Sequence, residues 1–160
     1  MNRRLFLLQG TAALAGAATL PVTSPAFAQE GADKVVKTEA EWRKLLTKEQ
    51  FYVLREEGTE RAFTSPLNNV KRKGTYVCAG CDLPLFKSET KYDSGTGWPS
   101  FYDVIAANIG TKTDYAIGFP RTEYHCARCL GHQGHVFDDG PRPTGKRYCN
   151  NGVALTFRPA

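Results

Sequence analysis

Arg147-Tyr148-Cys149-Asn150-Asn151-Gly152-Val153-Ala154-Leu155-Thr156-Phe157 is the stretch whose reading decides the fold. Read as a strand, its side chains alternate between two faces, so Arg147, Cys149 and Asn151 share one face and Val153, Leu155 and Phe157 continue it. The sequence upstream has the same character back to about residue 74. Helical periodicity vanishes there, and short β-type runs alternate with Gly, Pro, Asn and Asp. The predicted strands are Gly74 to Cys78, Ser100 to Ile105, Tyr115 to Phe119, Glu123 to Cys126, His135 to Phe137, and Arg147 to Phe157. They predict antiparallel sheet, rolled or barrel-like, in an α+β, mainly β domain with its helices at one end.

Two helices precede the strands. Thr38-Glu39-Ala40-Glu41 reads as a capping box, with the acid three residues after the cap, and opens a helix carrying Trp42, Leu45 and Leu46 on one side. Thr47-Lys48-Glu49-Gln50 repeats the pattern and opens a second helix with Phe51, Val53 and Leu54, stopped at Gly58. Both read as structural.

Residues 1–28 have a basic start, an apolar stretch and an Ala26-Phe27-Ala28 ending, the layout of a cleaved secretory signal. Arg3-Arg4 followed by Leu5-Phe6-Leu7 resembles a twin-arginine signal, and predicts export to the periplasm. The central part of this leader is too short and small-sided for a membrane anchor. Residues 29–37 read as a flexible lead-in and 38–160 as one domain. The chain's net charge of +5 overstates its basicity. Without Arg3 and Arg4 the 21 basic residues become 19 against 16 acids, a net of +3. That balance argues against nucleic acid, which is usually bound by a clustered basic patch. Nothing in the sequence demands more than a monomer.

Five cysteines carry the chemistry. Cys78/Cys81 and Cys126/Cys129 form two Cys-x-x-Cys pairs, and Cys149 is left over. Together the pairs supply four soft ligands for a tetrahedral metal, a closed set that leaves no position for substrate. The 44 residues between them exceed the spacing of a compact zinc ribbon, so other pairings stay open. The pairs could form disulfides in an oxidising compartment. Alternatively Cys126, Cys129, His132 and His135 could hold a metal locally. The odd cysteine is either a buried structural thiol or a reactive one, and its neighbours favour reactivity. A guanidinium at Arg147 on the same face stabilises a thiolate, and His132 and His135 offer proton transfer near neutral pH.

Three stretches carry a family resemblance: Gly-His-Gln-Gly-His-Val-Phe-Asp-Asp-Gly-Pro (131–141), Pro-Thr-Gly-Lys-Arg-Tyr-Cys-Asn-Asn (143–151) and Ser-Gly-Thr-Gly-Trp-Pro-Ser-Phe (94–101). They resemble the B-type methionine sulfoxide reductases, and the likeness runs over roughly 38 to 158. It implies two antiparallel sheets, a structural zinc on Cys78, Cys81, Cys126 and Cys129, and reduction of peptide-bound methionine-R-sulfoxide by Cys149 through a sulfenic acid. In that scheme Arg147 lowers the thiol pKa, His135 is the general acid and His132 assists it. Asp139 sets local charge, Asn151 hydrogen-bonds within the site, and Trp98 receives the substrate methyl. Asp139 also reads as a turn residue, Trp98 as a core tryptophan and His132 as a structural hydrogen-bonder. Many relatives carry a resolving cysteine where this chain has Thr96, which implies a one-cysteine enzyme regenerated by an external thiol, thioredoxin-like or other. The family's usual Ser after the Asn150-Asn151 ending is Gly152 here. Partners are then oxidised proteins, repaired after oxidative stress. Two other classes fit the same cysteines: a zinc-stabilised binding module, and a thiol–disulfide oxidoreductase using one Cys-x-x-Cys pair.

Overall fold

The computed structural model describes residues 33–160, so the leader and the first part of the lead-in lie outside the described residues. Two short helices come first, α1 (Glu39–Leu45) and α2 (Lys48–Glu56). Both capping boxes form. Glu41 N–H donates to Thr38 Oγ1 while Thr38 N–H returns to Glu41 Oε2, and Thr47 and Gln50 do the same. Trp42, Leu46, Phe51, Val53 and Leu54 are buried, whereas Leu45, expected on the apolar side, is exposed. The second helix ends at Glu56, and the left-handed turn falls on Glu57 (φ 56°), one residue before the expected glycine stop. Of the lead-in, Val35 N–H donates to Arg128 O at 2.9 Å.

Nine strands follow: β1 (Gly74–Cys78), β2 (Pro84–Lys87), β3 (Lys91–Tyr92), β4 (Ser100–Phe101), β5 (Ile109–Asp114), β6 (Arg121–Cys126), β7 (His132–Phe137), β8 (Arg147–Asn150) and β9 (Leu155–Pro159). They make two open antiparallel sheets, ordered β2-β1-β9 and β3-β4-β8-β7-β6-β5. The architecture is α+β and mainly β as expected, but no barrel closes. Phe86 of β2 stacks on Phe101 of β4 with centroids 4.1 Å apart, and Tyr76 of β1 meets Phe101 edge-on at 4.9 Å. This fully buried aromatic cluster welds the sheets together. Truncating one such ring costs about 3–5 kcal/mol.

Three predictions about strands are corrected. The run from Arg147 to Phe157 is two strands in two sheets. Asn151 N–H turns to Gln133 O, a 3₁₀ turn spans Gly152–Ala154, and the chain re-enters the other sheet as β9. Val153, Leu155 and Phe157 therefore do not continue the Cys149 face. Tyr115 to Phe119 is a loop, because Asp114 Oδ1 captures the Ala116 N–H at 2.7 Å and Gly118 takes φ 85°. The strand lies just upstream, in polar β5, where three central residues are exposed and alternation is lost. Ser100 to Ile105 keeps only its first two residues as strand.

Candidate active site

The central ladder fixes which side chains can meet. His135 of β7 is the register partner of Cys149 on β8, and Ser100 of β4 partners Cys149 from the other side. Glu123 of β6 partners His135, so Glu123, His135 and Cys149 stand in one row across three strands. Gly134 sits beside them because nothing larger fits: a Cβ there would lie 1.9 Å from Cys149 O. Removing that side chain lets Tyr124 reach across the opposite face, where its hydroxyl donates to Asn150 Oδ1 at 2.7 Å.

Cys149 is partly exposed and opens into a pocket of about 120 Å³ whose walls include Trp98, Arg121, His135 and Asn151. Four residues singled out from sequence thus converge there or border it: Cys149, His135, Trp98 and Asn151. Arg147 and Asp139 form a two-pronged ion pair beside them, Nε to Oδ1 and Nη2 to Oδ2 both at 2.8 Å, with the guanidinium over the Phe137 ring at 4.3 Å. Asp139 is therefore more than a turn residue, since it holds the arginine's fork. Asn151 works through its amide: Oδ1 accepts from Glu60 N at 2.9 Å and Nδ2 donates to Gln133 O at 3.0 Å. Trp98 is half-buried rather than a core residue, and its Nε1 donates to Glu60 O at 3.0 Å.

The thiol does not follow the electrostatic expectation. Burial pushes the Cys149 pKa up, and the opposing pull of Arg147 and of hydrogen bonds from Thr96 and Arg147 does not cancel it. Arg147 shares its charge with Asp139, which itself raises the thiol pKa. Arg147 thus lowers the thiol pKa as expected, and burial outweighs it.

The three histidines are addressed by two carboxylates that the sequence reading does not single out, Asp114 for His135 and Glu123 for His132 and His125. Asp114 Oδ2 lies 2.7 Å from His135 Nε2, and Arg121 Nη2 donates to the same oxygen at 2.6 Å. The Ala116 N–H, then His135 and Arg121, hold the Asp114 carboxyl well below the usual carboxylate range. Burial pushes His135 down, with Asp114 opposing. Glu123, 2% exposed, takes His132 Nδ1 on one oxygen at 2.7 Å and His125 Nδ1 on the other at 3.1 Å. Burial raises the Glu123 carboxyl, but the two imidazoles bring it net below its ordinary value. The His132 ring stands edge-on to His135 with centroids 5.5 Å apart, and its Nε2 is buried without a protein partner. Strand alternation puts Arg121 on the same face as Glu123, whose register partner is His135.

At the far end of the same sheet the two Cys-x-x-Cys pairs meet. The Sγ atoms of Cys78, Cys81, Cys126 and Cys129 all lie within 4.8 Å of one another, with Cys78 to Cys129 at 3.6 Å and Cys81 to Cys126 at 3.4 Å. A tetrahedral ion with 2.3 Å bonds to sulfur sets its ligands about 3.8 Å apart, so the cluster fits a four-thiolate metal. The knuckles match. Asp82 N–H returns to Cys78 O at 2.8 Å and Leu130 N–H to Cys126 O at 2.9 Å, each donor residue left-handed (φ 57° and 58°). All four thiols are free, and the histidines face the Glu123 and Asp114 carboxylates, so neither disulfides nor the local two-histidine site forms. Arg55 of α2 donates to Cys129 O at 2.8 Å, which docks the helices on this cluster. Among the described residues no helix is long and apolar enough to cross a membrane.

Comparison with known proteins agrees with this geometry. Residues 46–159 match the SelR domain family. A rice (Oryza sativa subsp. japonica) protein named peptide methionine sulfoxide reductase B1, chloroplastic, is 59% identical over 122 residues, covering 76% of this chain and 57% of that protein. Its Arabidopsis thaliana counterpart is 60% identical over 119 residues, covering 74% and 59%. Peptide methionine sulfoxide reductase MsrB of Methanosarcina barkeri is 55% identical over 125 residues, covering 78% and 88%. The chain thus spans a little over half the length of the two plant relatives.

Proposed function

The chain belongs to the SelR domain family, and from that premise we propose that it reduces methionine sulfoxide in proteins to methionine, acting on the R epimer at sulfur. The observation that carries the reading is Cys149 in direct register with His135 on the wall of a pocket faced by the Trp98 indole. The indole takes the substrate methyl, a sulfur–aromatic contact of about 0.3–1.5 kcal/mol. Cys149 Sγ attacks the sulfoxide sulfur, and His135, held by Asp114, gives a proton to the oxygen. His132, held by Glu123, assists. The oxygen passes to Sγ as the S=O bond breaks, so the cysteine is oxidised by two electrons, the sulfoxide is reduced by two, and methionine leaves. The thiol proton released on attack balances the one delivered, so a resting thiol suffices. Two external thiols then reduce the sulfenic acid, releasing water and a disulfide.

Thr96 is not a thiol, and the other four cysteines are grouped together at the metal site. The enzyme is therefore of the one-cysteine kind and takes its electrons from a thioredoxin-like protein or another thiol. The metal is a structural zinc on Cys78, Cys81, Cys126 and Cys129. It cross-links the ends of β1 and β6 and takes no part in the reaction. Residues 1–28 direct twin-arginine export to the periplasm, where a monomer repairs oxidised proteins. N-terminal sequencing of the exported protein checks this, with Gln29 as the expected first residue and an intact Met1 in the periplasm as the contrary result. The reaction is tested by offering separate R- and S-sulfoxide peptides with dithiothreitol. Consumption of R alone supports the assignment, and consumption of S or of neither removes it.

A further inference from the structure

Glu60 belongs to no motif noted in the sequence, yet it touches three parts of the pocket at once. Its backbone O accepts the Trp98 indole N–H at 3.0 Å, and its backbone N–H donates to Asn151 Oδ1 at 2.9 Å. Its carboxylate accepts the N–H of Gly152 and that of Val153, the latter at 3.0 Å. Trp98 comes from the loop before β4 and Asn151 from the turn after β8, so the segment after α2 is what ties these two walls together. The neighbouring Thr59 lines the pocket as well.

The clamp is tight at Gly152. A Cβ there would lie 1.9 Å from Ser65 Oγ and 2.6 Å from Ser65 Cβ, and 3.1 Å from Glu60 Oε1. The glycine lets the 151–153 turn seat directly on the 60–65 segment. Phe63 N–H then donates to Gly97 O at 2.7 Å, and Asn68 Nδ2 donates to the same oxygen at 3.0 Å, fixing the loop beside Trp98.

Resting on the proposed sulfoxide reduction, we propose that Glu60 is the positioning residue that sets the spacing of the Trp98 and Asn151 walls, with Gly152 as the seat that lets it grip. Glu60 touches neither thiol nor imidazole, so it acts on substrate fit rather than on the reaction step. Misplacing a binding wall by about 1 Å weakens a reaction on the order of a hundredfold at the extreme. A clamp that loosens without collapsing produces less.

The test combines kinetics with a probe independent of turnover. Glu60→Ala raises KM for an R-sulfoxide peptide about tenfold with kcat changed less than threefold, and Glu60→Gln, which keeps one acceptor, falls between. Gly152→Ala raises KM in the same way by driving Ser65 off, and adding Ser65→Gly restores it. The chain has two tryptophans, so in a Trp42→Phe background the emission of Trp98 shifts red when Glu60→Ala is added. Unchanged KM in both Glu60→Ala and Gly152→Ala overturns the proposal. So does an equal loss of stability and kcat with Trp98 emission unmoved, which marks a merely structural role. A wild type that reduces no sulfoxide removes the proposed reaction and leaves the emission shift to decide the clamp.

Discussion

His135 stands opposite Cys149 in the β7–β8 ladder, so hydrogen-bonded sheet rather than a loop sets the distance between imidazole and thiol. Sites built on strands hold their geometry without substrate. The sheet also brings the outer partner, since Asp114 ends the edge strand β5 and reaches His135 Nε2 at 2.7 Å.

Asp114 raises the His135 pKa against burial, so removing its charge lowers that pKa further. Asp114→Asn is expected to move the histidine's limb of the kcat profile to lower pH and to reduce kcat at pH 7 about tenfold. A shift toward higher pH contradicts the pairing. The same carboxyl has a depressed folded pKa, so its contribution to stability is complete above its unfolded pKa, about 4, and is lost as pH falls through the folded value. The variant should lose that part of the acid-denaturation slope.

Arg147 and Thr96 both pull the Cys149 pKa down against burial. Arg147→Met and Thr96→Val should each raise it, leaving less thiolate at any given pH. Iodoacetamide alkylation of Cys149 followed against pH reads this directly. The midpoint is expected above the ordinary thiol value in the wild type and higher still in both variants, with about tenfold slower reaction at pH 7 for each unit of displacement. A midpoint that drops in Arg147→Met contradicts the assignment.

Thr96 lies close enough to Cys149 to draw its pKa down, so a thiol placed there is expected to reach a sulfenic acid on Cys149. After one turnover without reductant, Thr96→Cys is expected to carry an intramolecular disulfide to Cys149, 2 Da lighter by mass spectrometry, whereas the wild type carries none. A disulfide to Cys149 in the wild type would end the one-cysteine reading.

The sequence makes some of this legible and hides the rest for physical reasons. Capping boxes at Thr38 and Thr47 are local, and both helices form where they predict. The four clustered cysteines are legible in the two Cys-x-x-Cys pairs, and the convergence of Trp98, His135 and Cys149 in the motifs over 94–101 and 131–151. The break at Asn151 is invisible because alternation carries on through it, and the turn is held by partners distant in sequence, Gln133 O on the Asn151 N–H and the Glu60 carboxylate on those of Gly152 and Val153. Asp114 and Glu60 escaped notice because each acts across the fold. Asp114 sits on an edge strand without apolar alternation, and the backbone and carboxylate of Glu60 both meet residues far away in the sequence. The upward push on the thiol pKa is hidden because its main cause, the burial of Cys149, depends on the fold, whereas the proximity of Arg147 is legible in the strand.

The four-cysteine cluster joins β1 to β6 and carries α2 through Arg55. Cys78→Ser is expected to abolish zinc in the purified protein and to lower Tm by about 10 °C or more, since a structural metal contributes folding free energy directly. Cys149→Ser should keep a full equivalent. Metal retained by Cys78→Ser contradicts the ligand set.

The most direct measurement of the central claim is a single turnover without reductant. The protein is mixed with excess R-sulfoxide peptide, methionine is counted, and the oxidised cysteine is trapped with dimedone and located by mass spectrometry. One methionine per chain and the adduct on Cys149 are expected, with neither product in Cys149→Ser. Methionine formed by Cys149→Ser, or an adduct confined to the Cys78 or Cys126 pairs, would contradict it.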